Sequence, residues 1–566
     1  MEQVRCFSFS EELSHSVISQ TCLAYLLQFN TSEPLDKNLD ASSPLAQYAA
    51  EHWIIHAHSG CRSKSQSSSV FALIRKLLAD ENNAFVNWVQ IYDIDKHHGD
   101  LQLWSDEIAK PLYYASLAGL TEVLHVLLEM GVDVNTQGGN FGNALKAASY
   151  QGHEAITKLL IDKGADVNAQ GGGFENALQA ASHGGYEAIV KLLMEKGADV
   201  NAQGGEYGNA LQAATYKGHQ AIMKLLLAKG ADVNVQGGTY GNALEGASNG
   251  GHEAITKLLL EKGADVNAPG GYFGNALQAA SYEGHKAIAK LLLEKGADVN
   301  AQGGHYGNAL QAASYEGHKA IAKLLLEKGA DVNAQGGYYG NALQAASYEG
   351  HEAIAKLLLE RGADVNVQGG KYGNALQAAS NGGHIVYLGM LADKWDNGHE
   401  AIVKLLLEEG ANVNAQGGMY GSALQAASKG GNHAVVKLLI ENGADVNVQG
   451  GEYGNALQAA SSGGDRIFKS LLMEEADSYE AIAKLLLEKG AYVNAEGGKY
   501  GNALQAASNK GLEGIAKLLL EKGADVHAQG GKYVNAVHAA SYAGNFAIVK
   551  LLIKKSSTFL SPTCPD

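Results

Sequence analysis

Proline is nearly absent from this sequence, with 6 in 566 residues, and no glycine period of three accompanies it, so a collagen-like chain is excluded. Hydrophobic residues make up 46%, too many for a disordered chain. Cysteine is also scarce: Cys6, Cys22, Cys61 and Cys564 all lie outside the patterned part, so no disulfide framework holds the fold. That usage fits a reducing compartment, and a cytoplasmic location is expected. Apolar runs long enough to cross a membrane are missing, and the N-terminus lacks a basic-then-apolar signal pattern. Basic excess is missing too. A net charge of −16 excludes a nucleic-acid backbone as the expected partner, because phosphate binding needs a cationic face. No G-x-x-x-x-G-K-[ST] occurs, so no nucleotide cofactor is implied.

Glycine is abundant, at 71, and its distribution is periodic. The phrase "NALQAAS" and its variants place an alanine at 144, 177, 210, 243, 276, 309, 342 and 375, each 33 residues after the last. The phrase returns at Ala423, Ala456, Ala503 and Ala536, and a divergent first copy begins near Lys110. Thirteen units therefore run over residues 110–555. Each reads as helix, turn, helix and hairpin loop. Asn143 and its equivalents stand where a side-chain oxygen caps helix one, with Ser422 as the one substitute. In helix two, Ile156, Leu159 and Leu160 predict one apolar stripe, and Gly164 predicts a left-handed helix end. One unit offers about five sizeable aliphatics, about 10 kcal/mol of burial, against about 50 kcal/mol to order 33 residues. The units must stack, and small residues such as Ala147 and Ala148 let neighbouring helix pairs approach.

The phrase "GHEAIAKLLLEKGADVNAQ" resembles the ankyrin repeat in length, second helix and "GADVN" turn. The resemblance implies an all-α ankyrin-repeat solenoid of about 13 units that binds proteins through hairpin tips and the concave helix-one face. The departure is at helix one, where the family's Thr-Pro-Leu-His becomes Asn-Ala-Leu-Gln. Asn can cap in place of Thr, and the loops are expected to be looser. Two units break the period, with inserts at 384–398 and 465–478. Each reads as a tolerated bulge, or alternatively as a binding element or hinge, with Trp395 as an anchor in the first.

Residues 1–109 lack the period and read as a small helical domain. Ile18, Cys22, Leu26 and Phe29 fall on one predicted helical face, and Ser43-Pro44 predicts the start of another helix. The phrases "FSFSEELSHSVISQTCLAYLLQF" and "PLAQYAAEHWIIHA" resemble the region between the nucleotide-binding module and the ankyrin array of fungal NACHT-ankyrin proteins. That resemblance implies the ligand-sensing arm of an NLR-like receptor. The alternative is a fragment of a NACHT ATPase switch whose catalytic part is missing from the chain. Residues 556–566 are expected to be a disordered tail.

Candidate chemistry is thin, and the expected class is a non-catalytic scaffold. The "GGxYG" loops resemble phosphate cradles, but they recur in almost every unit and lack the preceding strand and lysine of a nucleotide site. Gly246–Gly250 matches G-x-S-x-G, yet Ser248 ends a helix as Ser281 and Ser314 do. His52, His56, His58 and Cys61 lie close in sequence, and packing or solvated histidines are favoured over a metal site. The "Gly-His" before helix two recurs and marks a structural turn.

Two adjacent loop columns stand out. The first is aromatic in twelve hairpins and includes Tyr207, Tyr240, Tyr306, Tyr339, Tyr372 and Tyr420. Packing at the hairpin base and exposure as contact surface are both open for it. The preceding position varies, running through Glu206, Tyr272, His305, Tyr338, Lys371, Met419, Glu452, Lys499 and Lys532. Unconstrained surface and a recognition edge are both open there. Gln179, Gln212 and Gln278 are expected to form an adjoining polar row. The partners expected are unidentified proteins, with no cofactor, no metal, no nucleic acid and no membrane.

Overall fold

A computed structural model describes residues 11–30, 43–60, 67–79, 83–92, 95, 108–381, 395–463 and 472–558. The chain divides into two compact units, Met1–Ala264 and Asp265–Asp566. The described residues are helical, and the extended pairing among them consists of isolated bridges inside hairpin loops, such as Gly303 with Gly307.

The first unit opens with helices α1 (Glu11–Leu26), α2 (Ala46–Gly60), α3 (Ser67–Leu77) and α4 (Asn83–Ile91). The α1 face that packs inward is Ser16, Ser19, Cys22, Leu23 and Leu26. Ile18 is half-buried and Phe29 sits in a separate 3₁₀ turn, so the expected stripe is rotated. The rotation brings Ser19 Oγ to the Trp53 carbonyl at 3.3 Å, which lets a polar residue enter the core satisfied. Helix α2 begins at Ala46, with Pro44 in the turn before it. Trp53 and Trp88 meet edge to face at 5.4 Å, and Trp88 Nε1 donates to the Ala50 carbonyl at 3.1 Å. Phe85 and Trp88 then pack on Tyr114 at 5.6 and 5.9 Å. Tyr114 belongs to α5 (Pro111–Leu117), helix one of the first repeat, which α6 (Thr121–Glu129) follows. The N-terminal helices thus pack directly on the first repeat at the boundary expected at residue 109. Side-chain packing continues across it, and these helices share the unit Met1–Ala264 with the first repeats.

Every later helix one starts as expected. Asn143 is extended, and its side chain accepts from the Lys146 N–H at 2.9 Å. Ser422 does the same for Gln425 at 3.2 Å. In helix two, Glu154–Asp162, the buried residues are Ile156, Thr157 and Leu160, with Leu159 only half-buried. The buried stripe thus includes Thr157 in place of Leu159. Val190, Met223, Ala289 and Ala322 fill the Thr157 position in other repeats. Gly164 closes the helix at φ 91°, and a Cβ there would touch nothing, so backbone conformation alone selects glycine.

Three polar columns join the repeats. Asn168 Nδ2 donates to the Gly197 carbonyl at 3.0 Å while its oxygen accepts from Asp199 N at 2.8 Å. His351 Nε2 lies 2.8 Å from the Tyr315 carbonyl in the preceding repeat. A carbonyl only accepts, so this nitrogen carries the hydrogen. The recurring Gly-His is thus a structural clasp. Gln311 Nε2 reaches the carbonyls of Ala334, Gly336 and Gly340 at 3.3, 3.2 and 3.0 Å. The looser loops expected from the family departure are not found, because this glutamine holds the following hairpin.

The first insert leaves the stack in register. His399 Nε2 meets the Tyr348 carbonyl at 2.8 Å, as if the intervening residues were absent. In the second interrupted repeat Tyr479 takes the histidine's place, and its hydroxyl donates to the Lys429 carbonyl at 3.1 Å. Residues 384–394 and 465–471 lie outside the described residues, and helices Trp395–Glu408 and Leu472–Glu488 begin within the inserts. The anchor role for Trp395 rests on a side chain outside the described set. Of the expected tail, 556–558 extend the last helix, and 559–566 lie outside the described residues.

Candidate protein-binding surface

The hairpin tips are tied to one another by their backbones. In the second unit His305 N donates to the Tyr272 carbonyl at 3.0 Å, Tyr338 N to His305 at 3.1 Å, and Lys371 N to Tyr338 at 3.1 Å. The series continues through Met419, Glu452, Lys499 and Lys532 with bonds of 2.9, 2.9, 2.8 and 3.0 Å. It passes over both inserts without a break. In the first unit the equivalent rungs join Asn140, Gly173, Glu206 and Thr239. Asp95 starts that strip by accepting from Asn140 N at 2.6 Å, and it also accepts from the Tyr113 hydroxyl at 2.6 Å. These rungs were not legible in the sequence, because a varied position carries no side-chain signal for a backbone bond.

This backbone strip sends the two loop columns in different directions. The varied column points outward: Glu206, Lys371, Lys499 and Lys532 are exposed, Tyr272 is 47% and Tyr338 37% exposed, and His305, Met419 and Glu452 are half-buried. The aromatic column points inward. Tyr306, Tyr339, Tyr372 and Tyr420 are buried, while Tyr207 and Tyr240 are half-buried. Tyr306, Tyr339, Tyr372 and Tyr420 thus pack at the hairpin base, and Tyr207 and Tyr240 keep part of their surface in solvent. Burial pushes their hydroxyls up, to about 12 for Tyr207, so they stay neutral hydrogen-bonding groups.

The outward column is itself organised. Tyr272 stacks on His305 at 5.3 Å and 12°, and His305 on Tyr338 at 5.3 Å and 22°. Lys371 Nζ sits over the Tyr338 ring at 4.8 Å and also meets its hydroxyl. Farther along, Lys499 pairs with Glu452 at 3.0 Å. The arrangement offers aromatic edges, an ammonium and an ion pair on a backbone that cannot slide.

The expected glutamine row is a correction. Gln179, Gln212 and Gln278 are at most 1% exposed, and each donates to carbonyls of the next hairpin. A donor at the narrow gap between repeats is consumed there and offers nothing to a partner. The sequence signal that could have revealed this is its recurrence in nine of twelve repeats beside a varied tip.

Where these glutamines do not line the face, other side chains do. Tyr282, Tyr315 and Tyr348 end helix one in three successive repeats and interleave with the loop rings. Tyr306 lies 4.7 Å from Tyr282 and 5.3 Å from Tyr315, and Tyr339 lies 4.7 Å from Tyr315 and 5.6 Å from Tyr348. The Tyr315 hydroxyl is pushed up to about 12 chiefly by burial, with the nearby Glu349 carboxylate adding to the shift.

At the N-terminal helices, His15 and His56 meet through their Nδ1 atoms at 2.7 Å, and His56 Nε2 is 3.1 Å from the Tyr48 hydroxyl. Burial, with smaller contributions from His15 and His52, lowers the His56 pKa. His58 is used elsewhere, with Nε2 2.7 Å from the Ala118 carbonyl. Cys61 lies outside the described residues. Ser248 is fully buried at the end of its helix, as expected for a packing residue.

The family model for ankyrin repeats in three copies matches residues 171–237, 239–303, 278–369 and 388–496. A second, for many copies, matches 112–161, 145–194 and 503–553. The chain belongs to the ankyrin-repeat family. It is 38% identical over 156 residues to the azaphilone pigments biosynthesis cluster protein L of Monascus ruber, an alignment covering 25% of this chain and 32% of that protein. The chain thus spans about a third of that relative's length. The ankyrin repeat domain of human ASB11 is 28% identical, with a TM-score of 0.35, over 39% of this chain and 99% of that domain. Ankyrin arrays generally mediate protein–protein contact and are typically non-catalytic, which fits a surface made of stacked rings and paired charges. No helix among the described residues is long and apolar enough to cross a membrane.

Proposed function

We propose that this ankyrin array is a non-catalytic scaffold that grips a protein partner along its hairpin tips. The observation that carries the reading is the outward column in the second unit. Tyr272, His305, Tyr338 and Lys371 are aligned by backbone hydrogen bonds at 3.0–3.1 Å, yet their side chains stay at least partly accessible. Such a surface is pre-organised, so a partner orders little when it binds. Tyrosine adds apolar area with a polar tip at small entropic cost. The inward tyrosines, Tyr207, Tyr240, Tyr306, Tyr339, Tyr372 and Tyr420, support the tips from beneath.

The test is partner capture from the native cell, comparing the intact chain with a variant carrying alanine at Glu206, Tyr272, Tyr338, Lys371, Lys499 and Lys532. Partners held by the intact chain and lost by the variant are the expected result. Equal capture by both would overturn the tip assignment. A finer reading makes the array the ligand-sensing arm of an NLR-like receptor in the cytoplasm. Its support is the likeness of the α1 and α2 sequences to the segment that precedes such arrays. An in-frame Walker motif upstream in the gene would support the alternative of a NACHT ATPase switch.

A further inference from the structure

Helix one ends badly, in electrostatic terms, in three successive repeats. Glu283, Glu316 and Glu349 are the C-terminal cap residues of Ala276–Tyr282, Ala309–Tyr315 and Ala342–Tyr348. The C-terminal end of a helix carries partial negative charge and favours a cation. One other repeat meets that preference, with Lys217 as the cap after Tyr216. Three carboxylates placed against three negative helix ends give up local stability, and sites that do so are candidates for binding. Glu316 and Glu349 are half-buried, and burial pushes the Glu349 carboxyl up to about 7, with Tyr315 opposing the shift and Glu316 adding to it.

The chain itself shows what such a surface holds. In other repeats an ammonium of the chain lies on a ladder tyrosine. Lys217 Nζ is 5.1 Å from the Tyr216 ring centre, and Lys429 Nζ is 5.2 Å from that of Tyr453. Lys217 occupies the position of Glu283, and Lys429 that of Tyr282. In the three tyrosine–glutamate repeats, rings and carboxylates are present without a lysine at either position. One ring spacing bears on the form of the ligand. The Tyr282 and Tyr315 rings are 6.4 Å apart. Alternate side chains of an extended peptide recur about every 6.6–6.8 Å on one face.

We propose that Tyr282–Glu283, Tyr315–Glu316 and Tyr348–Glu349 form a docking strip for an extended basic protein segment with lysine or arginine at every second residue. Each cation pairs with one carboxylate and lies against the adjoining ring, and it neutralises one helix end. The proposal rests on the scaffold reading and adds the partner's chemistry, but it uses the helix-one face instead of the tips.

The experiment is fluorescence anisotropy on the full chain with a labelled peptide of alternating lysine and serine, beside a counterpart with glutamate for lysine. The basic peptide is expected to bind, and the acidic one not. The triple variant Glu283→Gln, Glu316→Gln, Glu349→Gln keeps the acceptors for the tyrosine hydroxyls and is expected to weaken binding about tenfold, the sum of three partly exposed ion pairs. Native-state hydrogen exchange in the three repeats, measured alongside, is expected to stay level or slow. Failure of the intact chain to bind, equal binding of the acidic peptide, or unchanged binding by the triple variant would each overturn the proposal. The tip-alanine variant separates the two readings: it is expected to keep the basic peptide while losing the native partner.

Discussion

Replacing Gln311 tests the idea that one amide per repeat staples the array. Its Nε2 is shared among the Ala334, Gly336 and Gly340 carbonyls, and two hydrogens can make two full bonds. Gln311→Met keeps the volume and deletes both donors. Leaving two buried acceptors short costs about 1–3 kcal/mol each. Against that, the Gln311 oxygen is itself buried without a hydrogen-bond partner, and its removal recovers a similar amount. The net cost is therefore about 1–3 kcal/mol. Gln311→Glu deletes the donors and adds a buried charge, so its cost is larger, about 3–5 kcal/mol. Long arrays do not unfold as one transition, so a melting curve would blur the effect. Native-state hydrogen exchange resolves it. Amides in the following hairpin, residues 330–341, are expected to exchange about 5–150-fold faster in the methionine variant, and distant repeats not to change. A glutamate variant milder than methionine, or loss of protection spread evenly along the chain, would refute the staple.

The converse experiment already has its site: Glu245 takes the glutamine position and is fully buried. Glu245→Gln restores an amide's donors and is expected to stabilise its repeat by about 1–3 kcal/mol, read by slower exchange at residues 243–249. At Glu349 the folded carboxyl titrates near 7 against an ordinary 4.5, so the folded state binds the proton more tightly. Stability should fall as pH rises between those values. Glu349→Gln is expected to gain about 1–2 kcal/mol at pH 8, after discount for partial exposure, and nothing at pH 4. Denaturant titrations at the two pH values would show this, and equal gains at both would contradict it. Gly317→Ala places a Cβ 2.7 Å from the His351 ring at φ 82°. A cost of about 2–4 kcal/mol is expected, from left-handed strain and loss of the bond to the Tyr315 carbonyl, with amides near 317–321 exchanging faster.

Much of this protein was set by sequence alone. A 33-residue period with asparagine before each helix one and glycine after each helix two determines the elements, because capping and left-handed glycine are local effects. The need to stack follows too, since one repeat buries too little to order itself. The N-terminal helices were legible, but their inward faces were not: Ser19 faces the core because the Trp53 carbonyl waits there. Tertiary structure decided which side of each loop is surface. Adjacent residues such as Tyr338 and Tyr339 look alike in sequence, and the backbone rungs between repeats turn one out and the other in. The same applies to glutamine, polar in composition yet buried, because its partners are carbonyls 23 to 29 residues away. Local chemistry writes one repeat, and what a side chain does is settled by the repeat that comes to lie beside it.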